Sequence, residues 1–114
     1  MLQEGEIIVK RSFFLEDDER KQVAATVRFA TPFQPEGEYA RCLFELISPD
    51  GTKEMSADGL DALDALMACL ALAGSNIAGL NESVYGGRLR WEGSPAGGRG
   101  LGLPTIEEGW PSAK

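Results

Sequence analysis

Asp58, Asp61 and Asp64 recur at intervals of three. On a helix that spacing brings neighbouring carboxylates onto one surface, where they could hold a divalent cation or share acid–base work. Hard cations, however, want more oxygen ligands and a shaped cavity. The plainer reading is a set of acids that cap a helix start and complement its dipole. The chain has no histidine, which removes the commonest general base near neutral pH and the imidazole metal ligand. Ser-His-Asp and Cys-His machinery is therefore excluded. Cys42 and Cys69 lie far apart in apolar runs. They make no zinc motif and are expected to be free, buried thiols of a reducing compartment. No catalytic set, metal site or cofactor is expected.

Arg88, Arg90 and Arg99 face one local acid, Glu92, in an otherwise acidic chain, and Trp91 lies among them. Arginine and tryptophan are enriched in binding hot spots, so Arg88, Arg90, Trp91 and Arg99 form the candidate binding site. The same residues also suit a second arrangement, with Trp91 in the core and the arginines paired to acids on adjacent strands. The glycine-rich segment 86–102 includes Gly97-Gly98-Arg99-Gly100, whose backbone N–H groups could cradle an anion. It lacks the lysine and the strand–loop–helix order of a phosphate loop. An enzymatic reading would rest on Tyr39, Tyr85 or a pocket that gathers two of Asp58, Asp61, Asp64 and Glu45.

The elements that must position these groups can be read from periodicity. Ile7 to Phe14 is apolar and β-branched at its start. Val23, Ala25, Val27 and Phe29 alternate with Ala24, Thr26, Arg28 and Ala30, the period of a strand. The two runs are expected to pair as an antiparallel hairpin across the charged connection 16–21. Tyr39 to Ile47 carries apolar residues on both faces and reads as a central strand. Pro49-Asp50-Gly51-Thr52 is a turn, and Lys53 to Ala57 reads as a short fourth strand. A long helix is expected from near Asp58, with Leu60, Leu63, Leu66, Met67, Leu70, Ala73, Gly74 and Ile77 as its core stripe. Its back, with Ala65, Ala68, Ala71, Leu72 and Ser75, is uncharged until Glu82. Such a face is expected to be covered by the C-terminal segment or by a second subunit. Arg88 to Trp91 and Leu101 to Pro104 read as final short strands.

The chain has 114 residues, 43% hydrophobic and 25% charged, ordinary values for one globular domain. The domain is expected to span 1–104, with a tail at 105–114. A formal net charge of −7 repels phosphate backbones and anionic lipid, so nucleic acid and membrane surfaces are disfavoured partners. The N-terminus lacks a basic region followed by an apolar core. The uncharged stretch Ala65–Leu80 is shorter than the roughly 20 residues of a spanning helix.

Asp50-Gly51, Gly59-Leu60-Asp61-Ala62-Leu63-Asp64-Ala65-Leu66, Arg88-Leu89-Arg90-Trp91 and Leu101-Gly102-Leu103-Pro104 together resemble an uncharacterised family of small bacterial single-domain proteins, a domain of unknown function. The resemblance covers the third strand to Pro104 and implies strands on either side of one long helix in a bacterial cytoplasmic setting. Asp64 stands where it leads one to expect Gln. It implies no activity and transfers no catalytic residue.

The fold expected is α+β: an antiparallel sheet of four to six strands with one long helix on a face, in the order β-β-β-(β)-α-β-β. The function expected is that of a non-enzymatic protein-interaction or accessory domain. It would act through the Arg88–Arg99 region or through self-association of the helix back (Ala65, Ala68, Leu72), with a homodimer as the assembly. The alternative is a small-anion or metabolite binder using segment 86–102.

Overall fold

A computed structural model of the chain describes residues 6–37, 39–94 and 100–106. Strands β1 (Ile7–Leu15) and β2 (Ala25–Ala30) form the expected hairpin, with Phe13 opposite Ala25 and Arg11 opposite Val27. Asp18 orders their connection by accepting the backbone N–H groups of Arg20 and Gln22 at 3.0 and 3.1 Å. Strand β3 (Ala40–Ser48) pairs on both sides, as its two apolar faces require. Strand β4 is longer than the sequence suggested: it runs Gly51–Gly59 and pairs with β3 along its whole length. Gly51 at φ 130° makes the tight return after Pro49-Asp50 possible. Helix α1 (Ala62–Ser83) follows, and β5 (Leu89–Arg90) closes on β1. The sheet order is β4-β3-β2-β1-β5, antiparallel throughout. The fold is thus α+β, five strands with one helix packed on a face.

The core lies between the sheet and α1. Phe13, Val27, Phe29, Cys42 and Phe44 rise from the strands to meet Ala65, Cys69, Ala73 and Ile77 of the helix, all of them buried. Each large side chain here contributes about 1.5–3 kcal/mol on full burial. The Phe29 and Phe44 rings lie 6.0 Å apart, tilted by 35°.

The expected helix stripe holds at Ala73, Gly74 and Ile77, which are buried, and at Leu66 and Leu70, which pack against the core, and it is corrected in its first part. Leu60, Leu63 and Met67 are exposed, at 76, 65 and 41%, whereas Ala65, assigned to the outer back, is fully buried. The physical reason is the bulk of the sheet. Three phenylalanines already fill much of the interlayer space, so the helix offers Ala65, Cys69 and Ala73 at i, i+4 and i+8 and approaches closely, before Ile77 completes the buried row. Gly59 shows how close: a Cβ there would run into the backbone of Asp64 and Ala65. The helix start is also corrected. Asp58 still belongs to β4, and Asp61 is the N-cap, its carboxylate accepting the Asp64 N–H at 2.8 Å. With 22 residues and mean hydropathy 1.6, α1 is long and apolar enough to cross a bilayer, longer than the uncharged stretch implied; in this fold one side of it packs on the sheet.

Leu101–Pro104 forms no strand. It is a strap laid against the helix, where a Cβ on Gly74 would collide with the Pro104 carbonyl. One residue beyond Thr105, the Ile106 N–H reaches Ser75 Oγ at 2.9 Å. The strap therefore meets the helix at Gly74, placed on the core stripe by the sequence, and at Ser75 of the expected back. Of the tail expected at 105–114, residues 107–114 lie outside the described residues.

Candidate interaction surface

The Arg/Trp cluster is assembled from β5, the β1–β2 connection and the strap. Arg90 is 9% exposed and its guanidinium makes three internal hydrogen bonds. It meets Glu16 at 2.6 Å and donates to the carbonyls of Gly87 and Leu89 at 2.8 and 2.7 Å. Arg88 donates to the Tyr85 carbonyl at 2.9 Å and pairs with Asp17 at 3.2 Å. Trp91 is half-buried beneath Arg11, whose guanidinium carbon lies 3.7 Å from the ring centroid. Burial lowers the pKa of Arg11, which also donates to the Gly102 carbonyl at 2.8 Å. Of the candidate binding residues, Arg88, Arg90 and Trp91 thus come together and their visible contacts are internal. Arg99 lies outside the described residues. The partner that orders Trp91, Arg11 of β1, was not singled out in the sequence, although its place on the core side of β1 beside Phe13 follows from the period of two.

The three aspartates divide between an ion pair and the helix cap. Asp58 binds Arg41 across β3–β4 at 2.8 Å, and the hydrogen bond to that guanidinium holds its carboxyl below the usual aspartate value. Asp61 and Asp64 cap the helix, the latter accepting the Leu60 N–H at 2.9 Å. Glu45 lies four ladder positions from the Arg41–Asp58 pair, and Asp58 lines a cleft with Tyr39, Arg41 and Leu60. Among the described residues no group of three or more His, Cys, Asp or Glu is placed to hold a metal. Cys42 and Cys69 meet in the core. The Cys69 thiol lies against the Cys42 carbonyl at 3.5 Å, and hydrogen bonding to Cys42 together with burial pushes the Cys69 pKa up. Neither thiol reaches solvent.

The helix-free face of the sheet holds an unusual group. Glu45 is fully buried, neither of its oxygens has a hydrogen bond, and the Arg28 guanidinium lies 3.7 Å away.

A cleft of about 540 Å³ opens between the start of β4 and the second half of α1, lined by Thr52, Lys53, Ser75, Asn76 and Ser83 among others. Its helix polar groups are committed locally. Asn76 donates to the Leu72 carbonyl at 2.8 Å, Ser83 to the Gly79 carbonyl at 2.8 Å, and Ser75 accepts from Ile106. No nucleophile–base pair is formed there.

What the described surface does offer is apolar area at the start of the helix, Leu60 before the Asp61 cap and Leu63 and Met67 on the first turns, together with the outer edge of β4. A family model matches residues 9–104, from β1 through the strap to the point where it meets Gly74. The chain belongs to DUF6968, a domain of unknown function. The matched unit of DUF6968 thus includes every element that builds the core, and it reaches further toward the N-terminus than the motifs read from β3 onward. No curated protein and no solved structure matches the chain.

Proposed function

We propose that this DUF6968 chain is a non-enzymatic protein-interaction domain whose docking surface is the exposed apolar area at the start of α1. It is formed by Leu60 just before the Asp61 cap and by Leu63 and Met67 on the first turns. The observation that carries the reading is the exposure of these three large apolar side chains around one helix start. Grouped apolar exposure of this kind marks interaction sites, whereas single exposed residues do not. Support also comes from what the polar groups do: the arginines pair with Glu16 and Asp17, and the aspartates cap or pair. The small-anion alternative for segment 86–102 has less behind it, because Arg88 and Arg90 are already engaged. Two buried free thiols suit a reducing, cytoplasmic setting.

The test is affinity capture with the full chain, comparing wild type with Leu63→Glu/Met67→Glu and with Arg88→Ala. Loss of the captured protein in the first variant and its retention in the second is expected. Retention in both would overturn the assignment.

A further inference from the structure

We propose that the outer edge of β4 pairs antiparallel with β4 of a second copy, Met55 opposite Met55, so that two five-stranded sheets become one. Among the described residues β4 takes backbone partners from β3 alone. Edge strands are usually blunted by proline, a bulge or short length. β4 has nine residues, no proline and no register shift along its pairing with β3. Its edge guards are three charges, Lys53, Glu54 and Asp58.

Charge selects both the occupant and the register. A two-fold axis normal to the sheet keeps each residue on its own face, so paired positions must sum to an even number. With Met55 on the axis, Glu54 faces Ser56, Asp58 faces Thr52, Lys53 faces Ala57 and Gly51 faces Gly59. A slip of one step in either direction sets Glu54 against its own copy or against Asp58. Like charges directly opposite are destabilising. Of the registers that keep most of the strand paired, the Met55-centred one alone avoids such opposition, and it alone pairs the full strand. It also brings Lys53 to the end of the other β4, beside which Asp61 and Asp64 open the helix.

The helices then fit. α1 lies over β3 and β4 in nearly equal measure. With strands about 4.8 Å apart, two such helices flanking a β4–β4 seam would lie about 10 Å apart, at the separation of packed helices. The flank turned to the seam is the one beside Thr52 and Lys53, where Asn76 and Gly79 line the cleft. Ala68 and Leu72 precede them on the same side at helical spacing, and Gly79, which faces open space, and the small Ala68 leave room for that approach. Met67 and Asn76 are nine positions apart, half a turn round the helix. The seam is therefore separate from the Leu63–Met67 surface, and either proposal can fail without the other.

The experiment is solution mass by light scattering across concentration for wild type, Ser56→Glu, Ser56→Lys and Leu63→Glu/Met67→Glu, with circular dichroism confirming that each is folded. Ser56 is exposed and faces Glu54 of the second copy twice by symmetry. A concentration-dependent dimer is expected, weakened roughly fivefold by Ser56→Glu and tightened by a similar factor in Ser56→Lys. The Leu63/Met67 variant should dimerise as wild type does. A single-chain mass at every concentration would overturn the proposal. So would a dimer indifferent to both Ser56 changes, or one abolished by the Leu63/Met67 pair.

Discussion

The Pro104 carbonyl occupies the space that a side chain at Gly74 would need. Through that contact a segment with no strand or helix of its own becomes part of the packing. It lies over the helix and is held there again by the Ile106–Ser75 hydrogen bond and by Arg11, which reaches Gly102 while lying over Trp91.

Gly74→Ala should therefore lower stability by about 1–3 kcal/mol, the cost of overpacking a filled site. Gly79, on the same helix, faces open space. Gly79→Ala should raise stability by up to about 1 kcal/mol through helix propensity. Thermal or urea unfolding of the two variants checks the opposite signs.

Arg28→Leu should cost about 3–5 kcal/mol by leaving the buried Glu45 carboxylate without its cation. The double change Arg28→Leu/Glu45→Leu should recover most of that loss, because it removes a desolvated pair that lacks hydrogen bonds to the carboxylate. Denaturant unfolding of the single and double variants measures the coupling.

Burial, then the charge of Asp50, raises the pKa of Tyr85, whose hydroxyl donates to the Ala24 carbonyl at 3.0 Å. A group with a raised folded pKa contributes stability that is full below its unfolded value. That contribution is lost as pH climbs from there through the folded value. Stability should thus fall above roughly pH 10, and Tyr85→Phe should flatten that alkaline limb while costing about 1 kcal/mol at neutral pH. Unfolding curves recorded from pH 7 to 11.5 would show both effects.

Asp58 has the opposite sign. Its carboxyl is held low by the hydrogen bond to Arg41, so the stabilisation is present above the unfolded aspartate value and disappears as pH falls through the folded one. NMR titration should place its midpoint below that of a free aspartate, and Arg41→Gln should move the midpoint upward.

The strands were legible because each declares itself locally: alternation in Ala25–Ala30, two apolar faces in Ala40–Ser48, a proline–glycine turn before Gly51. The helix was legible as an element, and its rotation only in part: Ala73, Gly74 and Ile77 are buried as the stripe implied, whereas Leu60, Leu63 and Met67 are exposed. Leucine and methionine outweigh alanine and cysteine on any hydrophobic stripe, yet Phe13, Phe29 and Phe44 on the opposing layer favour Ala65 and Cys69 at the helix start. That constraint belongs to the partner surface, which periodicity along one helix does not contain. The Arg/Trp cluster was found as a composition and its internal pairing was one of the two readings open. Deciding between them needed Glu16 and Asp17, brought alongside by the β1–β5 pairing. The strap escaped because its contacts are made by glycine and backbone carbonyls, which carry no pattern.

The most direct test of this account compares charge insertions on the two sides of α1 by thermal unfolding. Leu63→Lys together with Met67→Lys should leave the free chain folded, with a change in stability within about 1 kcal/mol. Ala65→Lys or Cys69→Lys should abolish cooperative unfolding. A folded Ala65→Lys chain, or collapse of the Leu63/Met67 variant, would mean that the helix presents its other face to the sheet.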